Sequence, residues 1–324
     1  MSHWLPTPDQ REIAEAMSAA IIDALPLDRL HGPTASDHHR LTALADLGVL
    51  GIAIDEEAGG SGLGVVEEAL VFDHLGYQLA SPCVLASVLA AHASSDPSGL
   101  VRGERRACLA TRSDQNSLLV FDAAEDGQVV ILSGHDAQLL EALGGASSLA
   151  HNPWTIRLDR TPAPTEPKPS VPGLGLRARL LIAAQLCGLS RRALDMAVDY
   201  AKIREQFGKP IGSFQAVKHH SANMAVAALA ARDLVAFAAT ALEQGRDDAA
   251  FQIEAALVCA IKAARDNAGT NIQIHGGMGF SDECDAHLVL KHAQVWQAIA
   301  GGEAAARLAL LAEASPLIAT PHRP

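Results

Sequence analysis

The chain has 324 residues, a length that supports a large core and two or three domains. Its 25 Lys and Arg against 37 Asp and Glu give a net charge of −12, which repels phosphate backbones and argues against a nucleic-acid partner. Hydrophobic residues make up 49% of the chain and aromatic residues only 4%, because alanine and leucine supply most of the apolar share. Both are good helix formers, so the composition favours a mainly helical protein.

The five cysteines are dispersed along the chain and form no CxxC pair. This usage argues for a reducing compartment, so we expect a cytoplasmic protein without a disulfide framework. The first residues lack the basic-then-apolar order of a signal peptide. No apolar run reaches the roughly 18 residues of a membrane span, so no span is expected. His219, His220 and His275 have no Cys/His spacing around them that would indicate a metal site.

Helical patterns follow one another through the N-terminal part of the chain. Thr7-Pro8-Asp9 is typical of a helix start, and a glycine-rich loop over residues 59–64 separates later helical stretches. The last of these stretches ends at Asp96-Pro97. The sequence therefore predicts an N-terminal helical domain over residues 1–103.

The pattern then changes to alternating apolar and polar residues. The stretch SLLVFDAAEDGQVVILSG carries Asp126-Gly127 between two alternating runs, which predicts a β-hairpin. We predict a small β domain over residues 104–160. Five prolines lie between Pro162 and Pro172, and they indicate an extended linker over residues 161–173.

Long, alanine-rich helical patterns return at Leu174 and continue to the end of the chain, which predicts a helical bundle over residues 174–324. Near its end, QVWQAIAGGEAAARLAL indicates a helix, a break at Gly301-Gly302 and a second helix. The residue that precedes the two glycines is Ala300, whose side chain carries no chemistry.

Two segments of the bundle have the composition of a ligand site. REQFGKPIGSFQ, residues 204–215, joins two long helices and offers an arginine, a Phe-Gly corner and a glutamine. Arginine has the forked donors that suit pyrophosphate, although a plain interhelix turn is the commoner meaning of such a stretch. QIHGGMGF, residues 273–280, interrupts a helix with glycines whose backbone can approach a ligand, and a flexible turn is the alternative.

In this order and at this separation, the two segments resemble the C-terminal bundle of the acyl-CoA dehydrogenase family. LGVLGIAIDEEAGGSGLG, residues 47–64, resembles the family's N-terminal domain, except that Asp55 replaces the usual proline. The resemblance covers nearly the whole chain. It implies a mainly α fold with an N-terminal helical domain, a reduced middle β domain and a C-terminal four-helix bundle.

The resemblance also implies a cofactor. In the family, FAD lies at a subunit interface, and its adenosine and pyrophosphate half is held by the neighbouring subunit's bundle. By resemblance, Arg204 pairs with the pyrophosphate, Phe207 packs near the ribityl–phosphate region and Gln215 contacts the adenosine end. The remaining implied contacts come from one continuous segment, largely through backbone donors: Gln273, Ile274, His275, Gly276 and Gly277.

The catalytic base of the family is missing from both positions where it occurs. The family uses a carboxylate to take the α proton of an acyl thioester while the flavin accepts hydride from the β carbon. The two positions correspond here to Ala300 and Ala178, and neither methyl group can accept a proton. The hydroxyl residue expected at Gly302 and the flavin-ring segments of the β domain are also absent from the sequence.

These departures favour a non-catalytic subunit of a heteromeric acyl-CoA dehydrogenase. It would complete the FAD site of a homologous, glutamate-bearing subunit, as in α2β2 members that act on steroid side-chain CoA thioesters. Electron-transfer flavoprotein is expected as acceptor by analogy alone. Two alternatives stay open. One is a self-sufficient homo-oligomeric dehydrogenase that uses Glu303 as an unusual base, and the other is a flavin-free scaffold that binds acyl-CoA.

Overall fold

The computed structural model describes residues 5–31, 36–112, 117–124, 126–141, 147–150, 158–162 and 170–313. The N-terminal part is helical, as predicted, and short 3-10 turns join its helices. The first helix begins after Thr7, whose side chain and that of Gln10 form a reciprocal capping box. The helices of this part are α1 (Pro8–Ala24), α2 (Leu41–Asp46), α3 (Val65–Tyr77), α4 (Pro82–Ala93) and α5 (Ser98–Val101).

A six-stranded sheet follows, in the order β4-β3-β1-β2-β6-β5. Its first strand is central, parallel to β3 on one side and antiparallel to β2 on the other. The strands are β1 (Ala107–Arg112), β2 (Ser117–Phe121), β3 (Gln128–Ser133), β4 (Asp136–Leu140), β5 (Ser147–Ala150) and β6 (Leu158–Pro162).

The predicted hairpin around Asp126-Gly127 is wrong. The two alternating runs form β2 and β3 as expected, but these strands do not pair with each other, because β1 lies between them. The chain crosses from one edge of β1 to the other through the Asp126-Gly127 segment. The free edge of β2 pairs with β6 instead, with Leu118 opposite Thr161 and Ser117 opposite Pro162.

That pairing also corrects the start of the predicted linker. Thr161 and Pro162 belong to strand β6, and Pro162 is its last residue. Residues 163–169 of the linker lie outside the described residues. The bounds 1–103, 104–160 and 174–324 stay predictions from the sequence.

The C-terminal part is a bundle of long helices, which confirms the predicted fold class. The first four of these helices each pack on the next one along the chain, and the fifth packs on the third. The first four therefore run in alternating directions. Asn267 of α8 joins three of them, because its amide donates to Ser190 of α6 and to the Met224 carbonyl of α7. The helices are α6 (Leu174–Ile203), α7 (Gln215–Glu243), α8 (Ala249–His275), α9 (Ala286–Ile299) and α10 (Glu303–Ala312).

Glycines allow the three parts of the chain to approach closely. A Cβ on Gly188 of α6 would lie 2.0 Å from the Asp73 carbonyl oxygen of α3, and one on Gly175 would lie 2.1 Å from the His135 carbonyl carbon. Such distances exclude any side chain. The N-terminal helices and the β3–β4 turn therefore pack directly on the backbone of α6.

Helix α7 is long and apolar enough to cross a bilayer by length and composition, with a mean hydropathy of 1.7 over its best window. This departs from the expectation that no run is long enough. The helix packs against α6 and α8, and 44% of that window is buried. A helix in the core of a bundle can have the same length and hydropathy, so packing in the bundle is the simpler explanation of its apolar composition. The departure arises because alanines, rather than a continuous run of large apolar residues, supply the hydropathy.

Candidate functional site

The two ligand-like segments meet at one end of the bundle, which we call the motif end (residues 200–215 and 273–280). The rings of Tyr200, in the last turn of α6, and His275, the last residue of α8, stack with centroids 4.2 Å apart. Because α6 and α8 both finish here and α7 begins here, all segments implied in dinucleotide binding converge. The sequence could not place them together without the bundle topology.

The first segment forms a two-residue hairpin between β7 (Glu205–Gln206) and β8 (Lys209–Pro210). Its tip holds Phe207 at φ 54° and Gly208 at φ 76°, both left-handed. This conformation is unusual for a phenylalanine. The Phe207 side chain is 90% exposed and touches the edge of Phe214. The turn thus presents an aromatic ring to the outside of the chain.

Arg204 and Gln215 flank this hairpin and are both exposed. Arg204 follows the last residue of α6, and Gln215 is the first residue of α7. Within the described residues, the Arg204 guanidinium has no hydrogen-bond or ion-pair partner. Its donors are free for a ligand that is not part of this chain.

The second segment presents backbone rather than side chains. Gly276 and Gly277 are exposed, and no atom lies within 4 Å of a Cβ added at either. The Gln273 side chain is exposed and Ile274 is half-buried, so both can reach a ligand beside the glycines. The His275 ring is buried, and its Nδ1 lies 2.9 Å from the Asn271 carbonyl oxygen. Only the backbone of His275 is therefore free to contact a dinucleotide.

At the opposite end of the bundle lies the corner, by which we mean residues 300–302 and the helix turns around them. Helix α9 ends at Ile299 and α10 begins at Glu303, with Gly301 at φ 88° and Gly302 at φ 91°. The predicted helix–break–helix is confirmed. Ala300 is 5% exposed and Ala178 is fully buried, so neither base position offers a titratable group.

A buried ion network, which no sequence motif predicts, lies at the corner. Arg179, next to Ala178 on α6, pairs through two nitrogens with both carboxylate oxygens of Glu254 on α8. A third guanidinium nitrogen lies 3.4 Å from the Ala300 carbonyl oxygen. His135, in the β3–β4 turn, places Nε2 2.8 Å from Glu254. Glu254 is 0% exposed and Arg179 is 7% exposed.

Glu303 is unsuited to act as a base. One of its carboxylate oxygens accepts hydrogen bonds from Arg307, 2.7 Å away, and the other pairs with Arg265. These contacts, first Arg307 and then Arg265, lower the pKa of Glu303. A general base for an α proton needs the reverse, a carboxylate with a raised pKa and a free lone pair. Glu303 also lies in the first turn of α10, where its negative charge stabilises the helix N-terminus, and this role is enough to explain the residue.

A groove of about 500 Å³ opens between the start of α3, the start of α6 and the end of α7. Its lining is mixed and includes the polar side chains of Arg177, His92 and Glu243. Arg177 and His92 both contact Glu68, which is 1% exposed. Burial raises the pKa of Glu68, but His92 and Arg177 outweigh burial and the net pKa is lowered. The Arg177 guanidinium at this groove is therefore already paired within the chain.

The order of helical part, sheet and helical bundle, with the two segments paired at one end of the bundle, is that of the acyl-CoA dehydrogenase fold. Residues 7–95 match the model of the acyl-CoA dehydrogenase N-terminal domain, and residues 176–315 match that of the C-terminal domain. The chain is 33% identical over 255 residues to acyl-CoA dehydrogenase IpdE2 of Mycobacterium tuberculosis, covering 76% of this chain and 77% of the relative. The chain belongs to the acyl-CoA dehydrogenase family.

Two further comparisons bear on the organisation of the chain. Acyl-CoA dehydrogenase FadE34 of Mycobacterium tuberculosis is 34% identical over 282 residues, which cover 80% of this chain but only 40% of that protein. A chain of the ChsE4-ChsE5 complex from Mycobacterium tuberculosis has the same fold, with a TM-score of 0.78 at 24% identity over 97% of this chain and 100% of that one.

Proposed function

We propose that this chain is the non-catalytic subunit of a heteromeric acyl-CoA dehydrogenase. It lends Arg204, Phe207, Gln215 and residues 273–277 to FAD bound mainly by a homologous, glutamate-bearing partner. The observation that carries the proposal is the contrast between the two ends of the bundle. At the motif end Arg204, Phe207, Gln215 and the Gly276-Gly277 backbone are exposed, and at the corner both base positions are buried alanines.

The motif end fits half of a dinucleotide. Arg204, which has no partner in the described part of the chain, suits a pyrophosphate, and two exposed glycines with empty space beside them allow backbone amides to approach it. When bound, FAD would accept hydride from the substrate β carbon. This chain's residues would then bind and orient the adenosine half, while the partner supplies the base and the acyl-CoA pocket.

The relatives support a partner of the same family. FadE34 is more than twice as long as the stretch that matches this chain, which leaves room for a second homologous half. The ChsE4-ChsE5 structure is a complex of two differently named chains, and a related structure is described as a steroid ACAD, Tcur3481-Tcur3483. We extend the steroid-type CoA thioester substrate, the electron-transfer flavoprotein acceptor and a cytoplasmic location to this chain as parts of the same proposal.

The test is co-expression with a homologue that carries glutamate at the position of Ala300. We expect a yellow complex with about one FAD per heterodimer that desaturates an acyl-CoA, whereas the chain alone is colourless. Arg204→Ala should reduce flavin retention, and Arg307→Ala, an exposed arginine at the far end, serves as the matched control. A colourless complex, or none, would contradict the proposal.

The rival function, a self-sufficient dehydrogenase with Glu303 as base, makes a different prediction. It requires flavin to copurify with this chain alone and Glu303→Gln to abolish acyl-CoA-dependent bleaching. We expect instead that Glu303→Gln leaves the activity of the complex unchanged. The third function, a flavin-free acyl-CoA-binding scaffold, requires that no complex contains flavin and that Arg204→Ala changes the behaviour of none of them.

A further inference from the structure

We infer that Glu254 is the counter-ion that replaces the missing carboxylate of the corner and holds it closed. It keeps Arg179 buried against the Ala300 carbonyl and, through His135, holds the β3–β4 turn on the bundle. The inference rests on the proposed function in one respect, namely that position 300 carries no base. It adds that this corner is a closed structural element rather than a vacant substrate site.

The need for a counter-ion follows from the burial of Arg179. A guanidinium that is 7% exposed cannot lose its charge and is stable only beside a carboxylate with matched geometry. The neighbouring residues 178 and 300 supply methyl groups. Glu254 reaches the guanidinium from α8 with both oxygens, and its own side chain is 0% exposed.

The position of Arg179 relates position 300 to position 254. One guanidinium nitrogen lies 3.4 Å from the carbonyl oxygen of Ala300. We therefore expect a carboxylate introduced at residue 300 to neutralise the same guanidinium, which in this chain is neutralised from α8.

The network extends into the β domain. Besides Glu254, the His135 ring lies 3.7 Å from Glu313, beyond the end of α10. The backbone of the same turn packs on α6, since Gly175 leaves no space for a side chain beside His135. Next to it, the Val171 amide, which precedes α6, donates to the Ala137 carbonyl of β4 at 2.9 Å. Loss of Glu254 should therefore loosen the β3–β4 turn as well as the corner.

The test is a double-mutant cycle on the full chain, with urea unfolding as the measurement. Glu254→Gln should lower the folding equilibrium constant by roughly a hundredfold or more, because it leaves a buried arginine without a counter-ion. Ala300→Glu should lower that constant in the wild-type background, where two carboxylates would share one guanidinium. In the Glu254→Gln background it should raise the constant by roughly tenfold or more. A Glu254 that only packed in the core, without neutralising Arg179, would not produce this change of sign.

Two further variants keep the test decisive where Glu254→Gln folds poorly. Arg179→Met combined with Glu254→Met should fold better than Glu254→Gln, because a buried pair replaced on both sides leaves no isolated charge. Glu303→Gln, which alters an exposed pair, should stay close to the wild type. Hydrogen exchange in Glu254→Gln should quicken at residues 133–137 and 299–302 more than in the rest of α8.

The inference is overturned if Ala300→Glu has the same sign in both backgrounds, or if Glu254→Gln lies within tenfold of the wild type. It is also overturned if the double methionine variant is as unstable as Glu254→Gln. None of these measurements involves flavin, so their failure is separate from failure of the proposed function, which the flavin spectrum of the co-expressed complex decides.

Discussion

His292 is a fully buried side chain of α9, and neither of its ring nitrogens has a hydrogen-bond partner among the described residues. Burial first and the nearby Arg29 charge second lower its pKa to about 4, and Lys291 acts in the same direction. Asp37 opposes them without prevailing. The folded chain therefore holds a neutral imidazole where the unfolded chain takes up a proton at its ordinary pKa of 6.5.

This difference predicts a pH dependence of stability. Between pH 6.5 and about 4 the unfolded state binds a proton that the folded state does not, so the free energy of unfolding falls as the pH falls through this window. We expect His292→Leu to abolish roughly 3 kcal/mol of that loss. Urea unfolding of both chains at several pH values measures it. Parallel profiles for the two chains would contradict the prediction.

Single residues also mark the limit of what the sequence predicts about the site. Ala178 and Ala300 were identified by position within a known motif, and the structure places both in the core. Glu254 carried no motif, and its one signal is a lone charge within the apolar run FQIEAALVC. A charge with apolar neighbours on both sides of a helix turn must be exposed or paired, but its partners Arg179 and His135 are far away in the chain.

At the scale of elements, the β7–β8 hairpin combines strain with exposure. Phe207 has a left-handed backbone, which costs of order 1–3 kcal/mol for a residue with a side chain, and its ring contributes little packing to this chain. We expect Phe207→Gly to leave the free energy of unfolding equal or raise it by up to about 1 kcal/mol. The same change should weaken flavin retention by the co-expressed complex.

The measurements are urea unfolding of the chain and flavin retention after gel filtration of the complex. Ile13→Gly, which removes an exposed apolar side chain from the interior of α1, serves as the control and should destabilise the chain without loss of flavin. If Phe207→Gly instead destabilised the chain and left flavin retention unchanged, Phe207 would be a packing residue and the prediction would be wrong.

Helices were predictable because their signals are local, whereas the order of strands was not. Thr7 and Gln10 specify the first helix start through contacts three residues apart, and Gly301-Gly302 specify the break before α10. Alternation predicted β2 and β3 as strands but carried no information about their neighbours. The insertion of β1 between them depends on burial of both its faces, one against α4 and the other in a small apolar cluster with side chains of β2 and β3, which only the folded chain defines.

For the molecule as a whole, the two ends of the bundle predict where a partner binds. The motif end exposes large apolar side chains that gain from burial, notably Ile203, Phe207 and Phe280, at 78%, 90% and 76% exposure. The corner, in contrast, is already buried and internally neutralised by Arg179 and Glu254. A partner with FAD should therefore cover one end and leave the other as it is.

Hydrogen exchange of the full chain, alone and in the flavin-loaded complex, tests this distribution. We expect amide exchange to slow at residues 204–215 and 273–280, where exposed backbone such as that of Gly276 and Gly277 gains a ligand and a protein neighbour. Residues 297–303 should exchange at the same rate in both states, because the corner needs no partner to close. Protection that appeared at the corner and not at the motif end would mean that the partner completes a substrate site in this chain. The separation of roles between the two ends would then be wrong.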